Sequence, residues 1–208
     1  MVQKSNRRSV STRPPARRAR RYDTRRDGIL RAAARMFRER GFADTGMRDI
    51  AEASDLSPAN LYHYFDGKDE ILFYCQDRAL DRMMAGVAEA RRRFRRPDER
   101  LGAVLETHVL TMLDEVEGAT AHLQVDALAP TLRERIVRKR DRYERAVRRL
   151  VTEGMHDGTF VQGEAALVTR AMLGALNWVV TWYRPDGVYA PARIAAEMRA
   201  FLERALRN

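Results

Sequence analysis

The chain is poorest in cysteine. Cys75 stands alone, so no internal disulfide is possible, and a structural zinc site built from several cysteines is excluded. Such sparse thiol content fits a reducing cytoplasm. Long apolar runs are also missing. The most apolar stretch, 165–183, is interrupted by Thr169, Arg170, Asn177 and Thr181, which suits a buried helix and not a membrane span. No apolar core follows the basic N-terminus before Ile29, so it does not read as a secretory signal. Alternating β-branched runs between turns are lacking, which argues against a sheet. There is no glycine-rich phosphate loop, nucleophile elbow, spaced carboxylate pair or metal-ligand spacing. Neither an enzyme, nor a metal, nor a cofactor is therefore expected.

Acid is scarce at one end only. Residues 1–26 hold ten Lys and Arg against the single acid Asp23. They supply +9 of the net charge of +10, and the rest of the chain is almost neutral. A polycationic head of this kind suits a polyanion such as DNA, RNA or acidic lipid, although a solvated tail has the same composition. Residues 1–22 are rich in Ser, Pro, Thr and Arg and read as a disordered basic arm.

From Thr24 onward the apolar residues recur at helical spacing. The pattern predicts an all-α chain of about nine helices: 24–40, two short helices within 45–66, then 68–93, 98–113, 119–128, 132–155, 164–183 and 191–206. Gly41 is placed to end the first helix as a left-handed cap. Pro97, Pro130 and Pro185 mark breaks. Three units follow from this layout: the arm 1–22, a DNA-binding unit 23–67 and a larger helical unit 68–208.

The stretch from Thr45 to Lys68 carries the chemistry. Thr45 is placed to cap one short helix containing Ile50 and Ala51. The chain turns at Ser54-Asp55-Leu56. Ser57 then caps a second helix with Pro58 at its first position. Ile50, Ala51, Leu56, Leu61 and Phe65 would pack both against Ile29–Phe37. This is helix-turn-helix organisation. The faces left over on the second helix are Ser57, Ala59, Asn60, Tyr62, His63 and Tyr64. They are hydroxyls, an amide and rings, which suit base edges and phosphates better than a Glu- and Lys-rich solvated face would.

In these residues the chain resembles the TetR family of bacterial repressors. The resemblance rests on Phe37-Arg-Glu-Arg-Gly41-Phe42, on Thr45 to Ile50-Ala51, and on Leu61-Tyr62-His63-Tyr64-Phe65 followed by Lys68-Asp69. It implies a homodimeric regulator on a pseudo-palindromic double-stranded operator. It implies that Thr45 and Arg48 lie near phosphate and a base, that Ser57, Ala59 and Asn60 face the groove, and that Tyr62 and Lys68 hold phosphates. Either His63 or Tyr64 would make a further phosphate contact, the alternative for Tyr64 being packing under Phe65. Arg17–Arg26, including Arg25 and Arg26, would lie along the backbone or in a minor groove. A non-specific architectural nucleic-acid binder driven by the arm is the rival reading.

Helices 164–183 and 191–206 are the expected dimer surface, the first being apolar on too many sides for one contact. An effector pocket is expected among Met84, His108, Met112, Leu123, Tyr143, Val147, Asn177 and Trp178, although Met and aromatic residues at this spacing equally fit a core. The segment Asn177-Trp-Val-Val-Thr-Trp-Tyr-Arg-Pro-Asp-Gly187 resembles a TetR subgroup that governs fatty-acid, acyl-CoA or steroid breakdown. That implies an apolar, acyl-CoA-like effector, with Arg91–Arg96, Arg138 or Arg140 near an anionic head group.

Overall fold

The computed structural model describes residues 16–114 and 125–207. These form α1 (Ala16–Arg40), α2 (Met47–Ala53), α3 (Pro58–Tyr62), α4 (Lys68–Arg93), α5 (Pro97–Met112), a 3-10 turn (Val125–Ala127), α6 (Pro130–His156), α7 (Ala165–Asn177), α8 (Val179–Trp182) and α9 (Pro191–Leu206). The described residues contain no strand, only an isolated antiparallel bridge between Phe160 and Arg207.

Helix α1 begins eight residues before the expected Thr24, so 16–22 are helical and not part of a disordered arm. The sequence there, Ala-Arg-Arg-Ala-Arg-Arg-Tyr, is rich in strong helix formers. Its charge had masked that propensity. Gly41 ends the helix at φ +85°, as the cap expected of it. Most of the expected helix 119–128 lies outside the described residues. The expected helix 164–183 breaks at Trp178 into α7 and α8. Past that point Val179, Val180 and Thr181 are β-branched and stiff, and the Thr181 hydroxyl turns back onto the Trp178 carbonyl at 2.7 Å.

Helix α5 is central, packing against α4, α6, α7 and α9. One buried apolar cluster runs from Ile29 in α1 to Leu206 in α9. Ile71 and Leu72 of α4 belong to the same cluster as Ile29, Phe37, Ile50, Leu61 and Phe65. The short helices α2 and α3 therefore rest on a platform made by α1 and the start of α4. Isolated, helices of this length would not persist in water.

Candidate nucleic-acid interface and effector cavity

Helix α3 is five residues long and its geometry is set by its ends. The Ser57 hydroxyl accepts from the Asn60 amide at 3.2 Å, and Pro58 occupies the first turn. Leu61 is fully buried and pins the inner side. The outer side presents Ser57, Ala59, Asn60, Tyr62 and His63, all exposed, with Tyr62 at 53%. Arg48 on α2 is exposed beside them in sequence order. The turn between α2 and α3 places Asp55 at φ +51°, a left-handed conformation that Asp tolerates better than most residues. Arg25 secures that turn, its Nη2 donating to the carbonyls of Ser54 (3.0 Å) and Asp55 (2.9 Å).

Several residues expected at the DNA make contacts within the helix-turn-helix unit. Thr45 is 0% exposed, and its hydroxyl donates to the Gly41 carbonyl at 2.7 Å, closing the end of α1. It neither caps α2 nor reaches the surface. Gly46 holds the cap position, and its N–H donates to the Asp49 carboxylate at 2.7 Å. Lys68 is half-buried, and its ammonium donates to the carbonyls of Phe42 (2.9 Å), Ala43 (3.1 Å) and Thr45 (3.1 Å). An ammonium has three protons, so these three acceptors saturate it and none remains for a phosphate. The Arg26 guanidinium stacks on Tyr74, 3.8 Å from the ring centroid, and lies 4.9 Å from that of Phe65. Arg26 thus packs on the aromatic side chains of Phe65 and Tyr74. Tyr64 is half-buried and stacks on Tyr22, with centroids 4.9 Å apart and planes 23° from parallel. Its packing partner is thus Tyr22 of α1, which had been read as part of the arm. His63 is the exposed member of the pair.

The second site is a cavity of about 620 Å³ between α4, α5, α6, α7 and the 3-10 turn. Leu80, Met83, Val125 and Leu173 form its apolar wall. His108, Tyr143 and Asn177 also line it and form a hydrogen-bonded chain. His108 Nδ1 lies 3.1 Å from the Tyr143 hydroxyl, and Nε2 lies 3.1 Å from Asn177 Oδ1. An amide oxygen only accepts, so Nε2 carries the proton and Nδ1 accepts from Tyr143. Burial drives the His108 pKa down to about 4, against an opposing pull from Asn177, so the ring is neutral at pH 7. Burial likewise pushes the Tyr143 phenol upward. Arg133, Arg140, Asp126, Asp141 and Glu144 bring both signs of charge to the same cavity. Arg133 pairs with Asp126 at 2.8 Å. The Arg140 pKa is lowered by burial, with Asp126 opposing.

Sequence profiles and solved structures place this architecture. Residues 29–75 match the profile of bacterial regulatory proteins of the tetR family, and residues 95–206 match the tetracyclin repressor-like C-terminal domain. The chain belongs to the TetR family. It is a transcriptional regulator and not an enzyme. The HTH-type transcriptional repressor KstR2 of Rhodococcus jostii is 30% identical over 189 residues, covering 85% of this chain and 88% of that protein. The TetR regulator PfmR of Thermus thermophilus is 33% identical, with a TM-score of 0.77 over 85% of this chain and 97% of its own. AibR, solved in complex with isovaleryl coenzyme A and operator DNA, shares the fold at 24% identity, with a TM-score of 0.72 over 85% of this chain and 97% of its own.

Within this TetR chain, only part of the expected pocket lines the cavity. His108, Tyr143 and Asn177 do. Met112 and Val147 are fully buried core residues. Met84 borders a separate groove with Arg91 and Glu153. Trp178 is 64% exposed and does not line the cavity. Leu123 lies outside the described residues. Of the arginines suggested for an anionic head group, Arg140 lines the cavity, whereas Arg91, Arg92, Arg96 and Arg138 form ion pairs elsewhere with Glu153, Glu89, Asp98 and Glu134. Arg133, Asp141 and Glu144 of α6 were missed because a charge-rich helix face reads as solvated.

One further feature stands out on the surface. Leu167, Trp178 and Trp182 on α7 and α8, Val188 and Tyr189 in the loop that follows, and Phe201 on α9 are all exposed large apolar side chains. Leu167, Trp178, Trp182 and Phe201 sit on the two segments expected to pair between protomers, and Val188 and Tyr189 lie between those segments. No helix among the described residues is long and apolar enough to cross a membrane, and they contain no cluster of metal-ligating side chains.

Proposed function

We propose that this TetR regulator is a homodimeric repressor that reads a pseudo-palindromic operator with α3 and leaves it when a small amphiphile enters the α4–α7 cavity. The observation that carries the reading is the outer face of α3. Its polar, uncharged side chains are exposed, while the cations Arg25, Arg26 and Lys68 make their contacts within the motif. Arg48, Ser57, Ala59 and Asn60 address bases, and Tyr62 and His63 address phosphates. Arg20 and Arg21, exposed on the extended α1, take over the backbone role first assigned to Arg25 and Arg26.

Two α7–α9 surfaces meet in the dimer. Trp178 and Phe201, 64% and 63% exposed in one chain, are the anchors of that contact. The effector has an apolar body suited to Leu80, Met83 and Leu173 and an anionic group near Arg140. An acyl-CoA thioester, the class bound by AibR, fits that description. Native mass spectrometry of the purified protein tests the assembly and any co-purifying ligand together. A dimer is expected, and a monomer at micromolar concentration would overturn the reading.

A further inference from the structure

Two oxygens in the effector cavity accept no hydrogen bond. Glu144 lines it, and its Oε1 is buried without a hydrogen-bond partner, while Oε2 has only a 3.4 Å pairing with Arg148. An unpartnered buried polar oxygen is costly and calls for an explanation. Tyr143, the adjacent residue on α6, gives its proton to His108, which leaves a lone pair on the phenol oxygen. Both oxygens lack a donor. The apolar wall of Leu80, Met83 and Leu173 has none to offer, His108 is neutral with both ring nitrogens occupied, Arg133 is paired with Asp126, and Arg140, which lines the same cavity, donates to neither oxygen. On the same wall Asn177 accepts through Oδ1 and keeps its amide protons, which suits it to the oxygen of a group that donates elsewhere.

A wall of this kind matches a group that both donates and accepts. We propose that the effector is hydroxylated: its apolar body carries an alcohol that donates to Glu144 or Tyr143 and accepts from Asn177. A ketone has no proton for the two acceptors, and a saturated chain satisfies none of the three residues. The inference rests on the reading of this cavity as the effector site and narrows what enters it.

Calorimetric titration of the full-length dimer with a matched panel tests it. The probes are octanoyl-CoA, its 5- to 8-hydroxy derivatives and the corresponding ketones. At least one hydroxy probe is expected to bind about 10-fold more tightly than both octanoyl-CoA and its own ketone, a margin of about 1.4 kcal/mol that one net hydrogen bond can supply. In Glu144→Leu or in Tyr143→Phe, whichever residue accepts the proton, that margin, read as the ratio of hydroxy to saturated probe affinity within the same variant, is expected to fall to about twofold. Circular dichroism confirms that each variant folds. Equal affinity for hydroxy, keto and saturated probes would overturn the inference while leaving the cavity as the effector site. A margin that survives in both variants would do the same. Failure of every probe to bind would overturn the cavity reading itself.

Discussion

Removing the Lys68 side chain separates two roles that sequence alone could not tell apart. In the fold its ammonium ties the start of α4 to three carbonyls around the α1–α2 corner, with the Phe42 ring 4.6 Å away. Two of those three bonds are part-buried. A hydrogen bond to a charged group contributes about 1.5–3 kcal/mol when buried, and water replaces much of that at an exposed acceptor. An exposed cation–π contact adds about 0.5 kcal/mol. Discounted for partial exposure, Lys68→Ala should cost about 2.5 kcal/mol, which for a chain of this length lowers Tm by roughly 5–10 °C at fixed protein concentration. Thermal unfolding read by circular dichroism measures this. The same protein is then titrated with operator DNA across a salt series. A lost phosphate contact would flatten the slope of log K against log salt by about 0.9, whereas a lost clamp leaves the slope unchanged. An unaltered Tm combined with a flattened slope would refute the positioning role and restore Lys68 to the phosphate backbone.

Three other outcomes follow from the geometry. His108 has a folded pKa of about 4 against about 6.5 unfolded, so between those values the unfolded chain takes up a proton that the native ring refuses. Its contribution is intact above pH 6.5 and is lost as pH falls toward 4, about 3 kcal/mol in all. Urea unfolding at pH 7 and pH 4 should show a correspondingly smaller difference in His108→Gln, and identical differences in the two proteins would refute it. Trp178→Arg combined with Phe201→Glu should convert the dimer to monomer in sedimentation velocity without loss of helix content, because both side chains are already exposed in the single chain. Asn60→Ala should change which bases are preferred, whereas Tyr62→Ala should weaken binding by about 1 kcal/mol on every sequence, as lost base and phosphate contacts do. Competition binding against single-base operator variants separates the two.

The helical layout was legible because it rests on periodicity and punctuation. Gly41 and Ser57-Pro58 sit where local chemistry demands them, and Leu61 and Phe65 are buried as their spacing requires. The exposed face of α3 was legible for the same reason. The supporting cations were not. A lysine or arginine near a DNA-binding motif carries no mark in sequence of whether it faces phosphate, a backbone carbonyl or an aromatic ring. Arg25, Arg26 and Lys68 each found one of the latter two. Thr45 failed similarly, since its hydroxyl serves the end of α1 and not the start of α2. On α6, Arg133, Arg140 and Glu144 fall on one stripe at separations of seven and four. That spacing was visible, but a charged stripe is usually solvated, and only the arrangement of α4, α5 and α7 around it makes it a cavity wall. The Tyr22–Tyr64 stack pairs residues far apart in sequence, which no local pattern announces.

The central claim is that two copies of α3 read DNA sequence, with the cationic end of α1 adding affinity but not choice. Selection of binding sites from random duplexes, carried out in parallel with the full chain and with a chain lacking residues 1–21, which keeps the Tyr22–Tyr64 stack, tests this most directly. Both proteins should enrich the same inverted repeat with half-sites about one helical turn apart, the shortened protein binding more weakly. Enrichment of no sequence by the full chain, or loss of all binding with the arm, would contradict the account.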